Sequence, residues 1–425
     1  MKISCRDGAS CLEKRGREAI VRRLSHLCTI IGAAVLVAGV LVTPSPAGTV
    51  SSNTTILQKL NAQRAAHGLG GGVVEDLEWS DACLAHNKYM ERNQEIDHPE
   101  QPGNPGYTEA GAWAGPNAVL AYNHPWKMGN PWEMAPFHLQ AILNPRLTVT
   151  GISEYAGTPT YPGQPGKAIF DCMIDKPGLL KPAPASDTFN SYPGDGTRHR
   201  FFDIAVEDPR TPGEAVGIPQ GTVTGPHIIA YWDGPTRGTP DALDVLTTAE
   251  VTGPQGQVEV KVVNQEIDDL TPPGTGFVIP SRALKPSTAY SVSFTFSNVA
   301  RTQAMSHEFT FTTKSAPTAR DSIEVLDMRI DRSKNNWVRV QLGVKDPYIR
   351  KTATVFVDYF RNGKRVGYIK VSNLPLFPVC DLIWFPQPGK TSAPSDAAKV
   401  RVVVPGFQLG GTSIPKSTVS FPVRI

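Results

Sequence analysis

The pattern of apolar and polar positions changes once along the chain, near residue 185. Before it, ILQKLNAQRAA (56–66) places apolar side chains at helical spacing, and a glycine-rich run ends this helix. A second helix is predicted to begin at Ser80, and a short apolar helix opens near His138 and stops at Asn144-Pro145. After residue 185 the period becomes that of strands with one buried face. The pattern predicts a mixed region followed by β modules.

The β modules are predicted from alternating segments and from turn residues. Asn362-Gly363 lies between two apolar segments and predicts a hairpin turn. The linker-like KPAPASD (181–187) and Ser315-Ala316-Pro317 mark two boundaries. We therefore expect two β-sandwiches, residues 186–314 and 315–425. The alternating segments are Val258–Val262, Tyr290–Phe296, Val338–Val344 and Val400–Val404.

The first 47 residues have the pattern of an export signal. Arg22-Arg23 precede an apolar run, Leu27–Val42, and small residues before Gly48 suit cleavage. The run is short for a span of ~20 residues, which favours cleavage, while retention as an anchor stays open. We predict a signal peptide over residues 1–47 and a secreted or cell-surface location.

The formal charge of +3 comes mainly from this leader. Residues 1–47 contain seven basic and three acidic side chains, so the remaining chain carries −1. A near-neutral body without a basic stripe predicts no nucleic-acid partner. Membrane contact is expected only through the leader.

Three of the six cysteines lie in the leader. Cys83, Cys172 and Cys380 remain, and in an oxidising compartment one disulfide and one free thiol is the simplest outcome. We predict the pair Cys83–Cys172, because both lie in the proposed domain 48–185. The role of Cys380 stays open.

Four segments, in order, resemble the bacterial branch of the CAP superfamily, which includes cysteine-rich secretory proteins, antigen 5 and pathogenesis-related proteins. They are LNAQRAAHGL, LEWSDACLAHNKYM, HPEQPGNPGYTEAG and PFHLQAILNPRLTVTG, all between Ser51 and Leu180. The resemblance implies an α-β-α sandwich over residues 48–185. The segments Leu284–Tyr290 and Phe309–Thr313 resemble closing strands of immunoglobulin-like modules. The expected fold class is thus α+β multidomain, a CAP-like sandwich followed by two immunoglobulin-like β-sandwiches.

The resemblance also implies a cleft in which two histidines and two glutamates face one another. His98 and His138 match the histidines, and neutral imidazoles suit zinc or a similar divalent metal. The acidic positions match poorly, since Gly115-Pro116-Asn117 replaces the family's Gly-Glu-Asn. Glu100 and Glu133 are the carboxylates near enough in sequence to substitute.

Aromatic residues crowd the same region and could line a groove for a lipid or a glycan. Core packing explains most of them, but Trp113 and Trp126 lie in Gly-, Ala- and Pro-rich sequence. We expect these two rings to line the cleft instead of the core.

Two functions from different classes follow. The first is a non-enzymatic secreted or cell-surface protein that binds a hydrophobic or glycan ligand, or a cell-envelope partner, through the CAP cleft. The second is a metal-dependent hydrolase acting on envelope peptide or peptidoglycan, with His98 and His138 as ligands and Glu133 or Glu100 as base. The first is preferred because no nucleophile, base and orienting group are visible together in the sequence.

Overall fold

The computed structural model describes residues 51–158, 168–331, 337–376, 379–385 and 397–423. The predicted leader lies outside these residues. In the part of the chain that is described, no helix has the length and hydropathy that crossing a bilayer requires.

The first region, residues 51–178, contains four helices and two small sheets. Helix α2 begins at Leu77, three residues before the predicted start, because the Asp76 side chain accepts a hydrogen bond from Trp79 N at 3.1 Å and caps it. Strands β2, β5 and β4 form an antiparallel sheet in that order, and β1 pairs with β3. The elements are α1 Ser51–Ala66, β1 Val74–Glu75, α2 Leu77–Asn93, α3 Glu109–Ala114, β2 Ala118–Tyr122, α4 Pro136–Leu143, β3 Val149–Thr150, β4 Ile152–Gly157 and β5 Ala168–Ile174.

The second region is a β-sandwich. One sheet has the order β13-β14-β10-β6 and the other β12-β11-β15-β16-β7. Alternating side chains of β15 (Val292, Phe294, Phe296) pack in one core with Ile228 and Ala230 of β10. The strands are β6 Thr188–Tyr192, β7 Thr197–His199, β8 Asp203–Ile204, β9 Val223–Thr224, β10 Ile228–Asp233, β11 Val245–Gly253, β12 Gly256–Val258, β13 Val260–Val263, β14 Thr275–Pro280, β15 Ala289–Ser297 and β16 Ala304–Thr313.

The third region is a second β-sandwich, with sheets β17-β18-β21 and β20-β19-β22-β25. Asn362 and Gly363 both have positive φ, which confirms the predicted hairpin turn between β19 and β20. The elements are α5 Ala319–Ser322, β17 Ile323–Asp331, β18 Trp337–Val344, β19 Thr352–Arg361, β20 Lys364–Pro375, β21 Val379–Phe385, β22 Ala397–Val404, β23 Phe407–Leu409, β24 Thr412–Ile414 and β25 Ser417–Val423.

The helical region does not close on itself. Ile142 and Leu143 of α4 share a core with Tyr231 of β10 and Phe277 of β14, so β10 and β14 are buried on both faces. The predicted fold class, an α+β chain that begins with a closed α-β-α sandwich, is therefore wrong. Most of the regular structure is strand, and the helices use the first β-sandwich as their second wall.

Candidate ligand-binding site

A cavity of about 580 Å³ lies where α4 meets the ends of β10 and β14. His98 and His138 both line it, together with Asp175, which follows β5. Its volume is within the usual range of small-molecule sites. The structure thus brings the two predicted histidines to one cavity, at the boundary between the helical region and the first β-sandwich.

His138 is anchored by Glu207, which lies between β8 and β9. Its Nδ1 lies 2.8 Å from Glu207 Oε2, and the same carboxylate accepts hydrogen bonds from the backbone N–H groups of Phe137 and His138. The carboxylate oxygens of Glu207 accept these hydrogen bonds, so Nδ1–H is the donor in the contact with His138. The opposite nitrogen, Nε2, has no hydrogen-bond partner among the described residues.

The other end of α4 is held by Arg64 of α1. Its guanidinium donates to the carbonyls of Ile142 at 2.8 Å and Asn144 at 2.9 Å, and also to those of Leu69, Gly70 and Leu147. Burial lowers the pKa of Arg64 to about 10, so it stays charged at neutral pH. A cation is favourable at a helix C-terminus, and the helix that carries His138 is fixed at both ends.

His98 is oriented by the backbone. Its Nδ1 donates to the carbonyl of Gly115 at 2.7 Å, since a carbonyl can only accept, and this leaves Nε2 as the acceptor in the neutral ring. Burial lowers the pKa of His98, and the proximity of His138 lowers it further. Near neutral pH the cavity therefore contains a neutral imidazole with a fixed tautomer.

Asp175 adds a carboxyl group to the same cavity. Burial raises the pKa of Asp175 to about 7, although Lys176 and His138 act in the opposite direction. Its Oδ1 is buried and has no hydrogen-bond partner among the described residues. The group can thus be a donor below pH 7 and an acceptor above it.

We expect Asp175→Asn to remove a pH dependence of stability. The folded pKa, about 7, lies above the ordinary value of 3.8, so the folded state binds more protons and the stabilisation is lost as the pH rises through 7. Relative to the variant, wild-type unfolding free energy should fall by about 2 kcal/mol between pH 5 and pH 8. Urea unfolding of both proteins at the two pH values measures this. Parallel profiles would contradict the raised pKa.

The opposite wall of the cavity is charged. Arg237 donates to both carboxylate oxygens of Asp233, at 2.8 and 2.9 Å, and is thereby neutralised. Burial and the proximity of Arg237 lower the pKa of Arg146, whose Nε lacks a partner among the described residues. The lining therefore combines acids, bases and two imidazoles with apolar side chains such as Val119, Leu179 and Leu270.

Two predicted cleft carboxylates lie elsewhere. Glu100 is buried against His86, with 3.0 Å between its Oε1 and His86 Nδ1, and its Oε2 accepts from Thr108 N. Glu133 accepts from the Tyr192 hydroxyl at 2.6 Å and pairs with Arg200. Neither lines the cavity. Their placement in the cleft is wrong, because each carboxylate already has partners that hold its loop in place.

The two tryptophans also lie outside the cavity. Trp126 is 3% exposed, with its ring 5.9 Å from that of Trp132, so the prediction that it avoids the core is wrong. The Gly- and Pro-rich sequence around it folds into a short turn that turns the ring inward. Trp113 is 39% exposed and its ring lies 5.7 Å from that of Trp79.

No group of three or more His, Cys, Asp or Glu side chains is placed to hold a metal ion within the described ranges. His98 and His138 offer two nitrogens, and Glu100 and Glu133 do not join them. The residues present do not fit the predicted zinc site, and we derive no chemistry through a metal.

Cys83 of α2 and Cys172 of β5 form a disulfide, with their Cα atoms 5.5 Å apart. Both are fully buried in the small core between α2 and the three-stranded sheet. The bond holds together the helix and the sheet that frame the His98 loop. Cys380 lies in β21, and its side chain is outside the described part.

Sequence reasoning missed Glu207 and Asp175. Glu207 is 69 residues from His138, and no local pattern links them. Asp175 had a weak signal, because an acid directly after the apolar strand AIFDCMI is placed where a sheet ends at a boundary.

Comparison with known proteins leaves the family open. No protein-family model and no curated protein matches this chain. Solved structures with some likeness include a DUF4785 family protein from Legionella pneumophila, at 10% identity and a TM-score of 0.20, covering 61% of each chain. Others are the CupB2 chaperone of Pseudomonas aeruginosa (15% identity, 43% of this chain and 87% of that one, TM-score 0.13) and the chicken CNTN1 FN1-FN3 domains (8%, 47% and 94%, TM-score 0.13).

The chain spans about three fifths of the length of the Legionella protein, and TM-scores this low carry no argument about function. The predicted membership of the CAP superfamily is wrong: no family model supports it, and the described residues, mostly β, form no closed α-β-α sandwich. Sequence motifs of moderate specificity reproduced the order of a family without its fold.

Proposed function

We propose that this chain is an exported binding protein whose cavity takes a small hydroxyl-bearing ligand, such as a glycan unit. The observation that carries the proposal is the pair of imidazoles, His98 and His138, both anchored through Nδ1 and both lining one cavity. Each leaves Nε2 for a ligand. Rigid, pre-oriented acceptors bind hydroxyl groups without a further ordering cost.

The lining mixes polar groups with apolar side chains, which suits a sugar, with its hydroxyl groups and C–H faces, better than a lipid. The rings of Phe137, Tyr231 and Trp232 are 8% or less exposed and pack mainly into the cores, so they offer little apolar surface. Carboxyl, guanidinium, ammonium and amide groups share the remaining wall with apolar residues, among them Val119, Leu179 and Leu270. An apolar ligand would strip water from these groups without replacing its hydrogen bonds. The polar lining groups are Gln140, Asn144, Arg146, Asp175, Lys176, Asp208, Asp233, Arg237 and Asp244.

Export is supported by the leader pattern and by the buried disulfide, which suits an oxidising compartment. In this proposal the first β-sandwich supplies one wall of the cavity, and the second, of the predicted immunoglobulin-like kind, presents the cavity to a partner.

Hydrolysis of envelope peptide or peptidoglycan is the second candidate. The observation that favours it is Asp175, a carboxyl with a pKa of about 7 in the same cavity as an imidazole held by Glu207. Acid–base catalysis uses groups whose pKa lies near the working pH. Turnover of a peptidoglycan fragment that is abolished by Asp175→Asn would favour this candidate over simple binding.

Calorimetric titration with a neutral N-acetylglucosamine trimer tests the binding proposal. His138→Asn is the informative variant, because an asparagine amide can reach the position of Nδ1 and keep the contact with Glu207 while Nε2 is lost. We expect it to weaken binding about tenfold, the effect of one good hydrogen bond. His307→Asn, on β16 and outside the cavity, should leave the affinity unchanged.

Palmitate serves as the apolar comparison. If palmitate binds with an affinity that depends on His138 and the glycan does not bind, the ligand class proposed here is wrong. Equal glycan affinities in the wild type and in His138→Asn would show that the glycan does not bind through His138 in this cavity.

A further inference from the structure

The charge of the chain is divided between its regions, which the total conceals. Residues 48–314 contain 18 Lys and Arg against 28 Asp and Glu, a net charge of −10. Residues 315–425 contain 17 against 8, a net charge of +9. Residues 48–425 are thus near neutral in total but divided into an acidic part and a basic part, a division that the sequence shows when the charge of each domain is counted separately. The net positive charge of the second β-sandwich would attract an anionic partner.

Four of these basic residues lie together on the outer face of the sheet β20-β19-β22-β25. Strand register places Lys370, Phe356, Arg401 and Ser420 in one row across the four strands. The adjacent row contains Tyr368, Asp358, Lys399 and Pro422. We call these two rows, with Arg365, the basic face. Lys370 and Lys399 are exposed, and neither has a hydrogen-bond partner among the described residues.

The two arginines of the basic face are held in place by one carboxylate and by aromatic rings. Asp358 is the one acid on these four strands, and it receives Arg401 Nε at 2.6 Å and Arg365 Nε at 3.0 Å. Arg401 also lies over the ring of Phe356, and Arg365 over that of Tyr368, each 4.5 Å from the ring centroid. Four cations against one carboxylate leave the face positive.

We infer that the basic face docks on the surface of an anionic phospholipid bilayer. The two rows of the basic face extend across four strands, which offers a broad contact area to a bilayer surface. At its edge strand, Val366 and Tyr368 are 44% and 51% exposed, and an exposed tyrosine beside lysines suits the headgroup layer of a membrane. Phosphate groups of the headgroups are the anions that arginine and lysine pair with.

The same geometry disfavours a single-stranded nucleic acid. Base stacking needs an open ring face. On the basic face, Arg401 lies over the ring of Phe356 and Arg365 over that of Tyr368, so these rings offer less stacking surface than an open aromatic platform. The acidic net charge of residues 48–314 would orient the molecule, with the second β-sandwich toward the membrane and the cavity away from it.

Vesicle co-sedimentation of residues 48–425, which omit the apolar leader, tests this inference. Vesicles of phosphatidylglycerol and phosphatidylcholine in equal parts are compared with phosphatidylcholine alone, at about 0.05 and about 0.5 M salt. We expect binding to the anionic vesicles at low salt, lost at high salt. Lys370→Glu with Lys399→Glu should reduce the partition coefficient more than about tenfold. Lys88→Glu with Lys285→Glu, two exposed lysines elsewhere, has the same charge change and should retain binding.

Three results would overturn the inference. One is equal loss of binding in both double variants, which would show a general charge effect. The second is binding to polyphosphate or single-stranded DNA with none to vesicles. The third is salt-sensitive self-association of the wild type, lost in Lys370→Glu with Lys399→Glu and seen without vesicle binding, which would make the face a contact between copies. None of these depends on whether the cavity binds a glycan.

Discussion

Replacing both Cys83 and Cys172 by alanine is expected to lower the free energy of unfolding by about 4 kcal/mol. The disulfide closes a loop over a sequence separation of 89 residues, and removing it restores that conformational freedom to the unfolded chain. Both side chains are fully buried, so their loss also leaves small voids between α2 and β5. Urea unfolding followed by tryptophan fluorescence measures the change.

Reduction of the wild type provides the matched control. A reducing agent should lower wild-type stability by a similar amount and leave the double alanine variant unchanged. If the variant and the oxidised wild type unfold at the same urea concentration, the loop is already constrained by other contacts and the estimate fails.

Arg200→Met should destabilise the protein by about 3–5 kcal/mol. Arg200 forms ion pairs with Asp203 of the first β-sandwich and Glu133 of the helical region. Burial opposes ionisation of Asp203, but Arg200 and His227 outweigh it and lower its pKa. Burial raises the pKa of Asp346, in the second β-sandwich, to about 6, while Arg200 acts in the opposite direction. Without the guanidinium, the buried carboxylate of Asp203 and the partly exposed carboxylates of Glu133 and Asp346 lose the cation that they share.

Lys261→Met is the control, because Lys261 pairs with Glu259 and both side chains are exposed, 44% and 72%. Such pairs contribute little to stability, so its unfolding curve should lie near that of the wild type. Calorimetry gives the second readout. Arg200→Met should broaden or split the thermal transition, since the regions lose a common contact, and a single unshifted transition would count against its central role.

The elements that were predictable from the sequence are those with a local cause. The hairpin at residues 362–363 was predictable because Asn and Gly readily adopt the two positive φ values that this turn requires. The strands at 289–297 and 337–344 were predictable because their apolar and polar residues alternate. Helix α1 ends at Ala66 as predicted, because glycines follow it. Periodicity and turn chemistry act over a few residues, and these elements needed no tertiary information.

The arrangement of these elements could not be read in the same way. Whether the apolar face of α4 meets its own sheet or a neighbouring one is not encoded in its periodicity, and it meets Tyr231 and Phe277. Glu207 fixes His138 from 69 residues away. Trp126 is buried although its sequence is typical of an exposed loop. Each of these three features depends on contacts between residues far apart in the sequence, which form only when the elements pack together.

The doubly buried sheet limits how this protein can be cut or recombined. A fragment that begins near residue 185 would lack the helices that cover this sheet. It would expose an apolar patch that promotes aggregation, formed by Ile229, Tyr231, Phe277 and Ile279. The helical part made alone would likewise lack one wall. Protein engineers who wish to transplant the cavity should move both halves of its boundary together, and should treat the Pro-Ala-rich connector as a joint inside one folding unit.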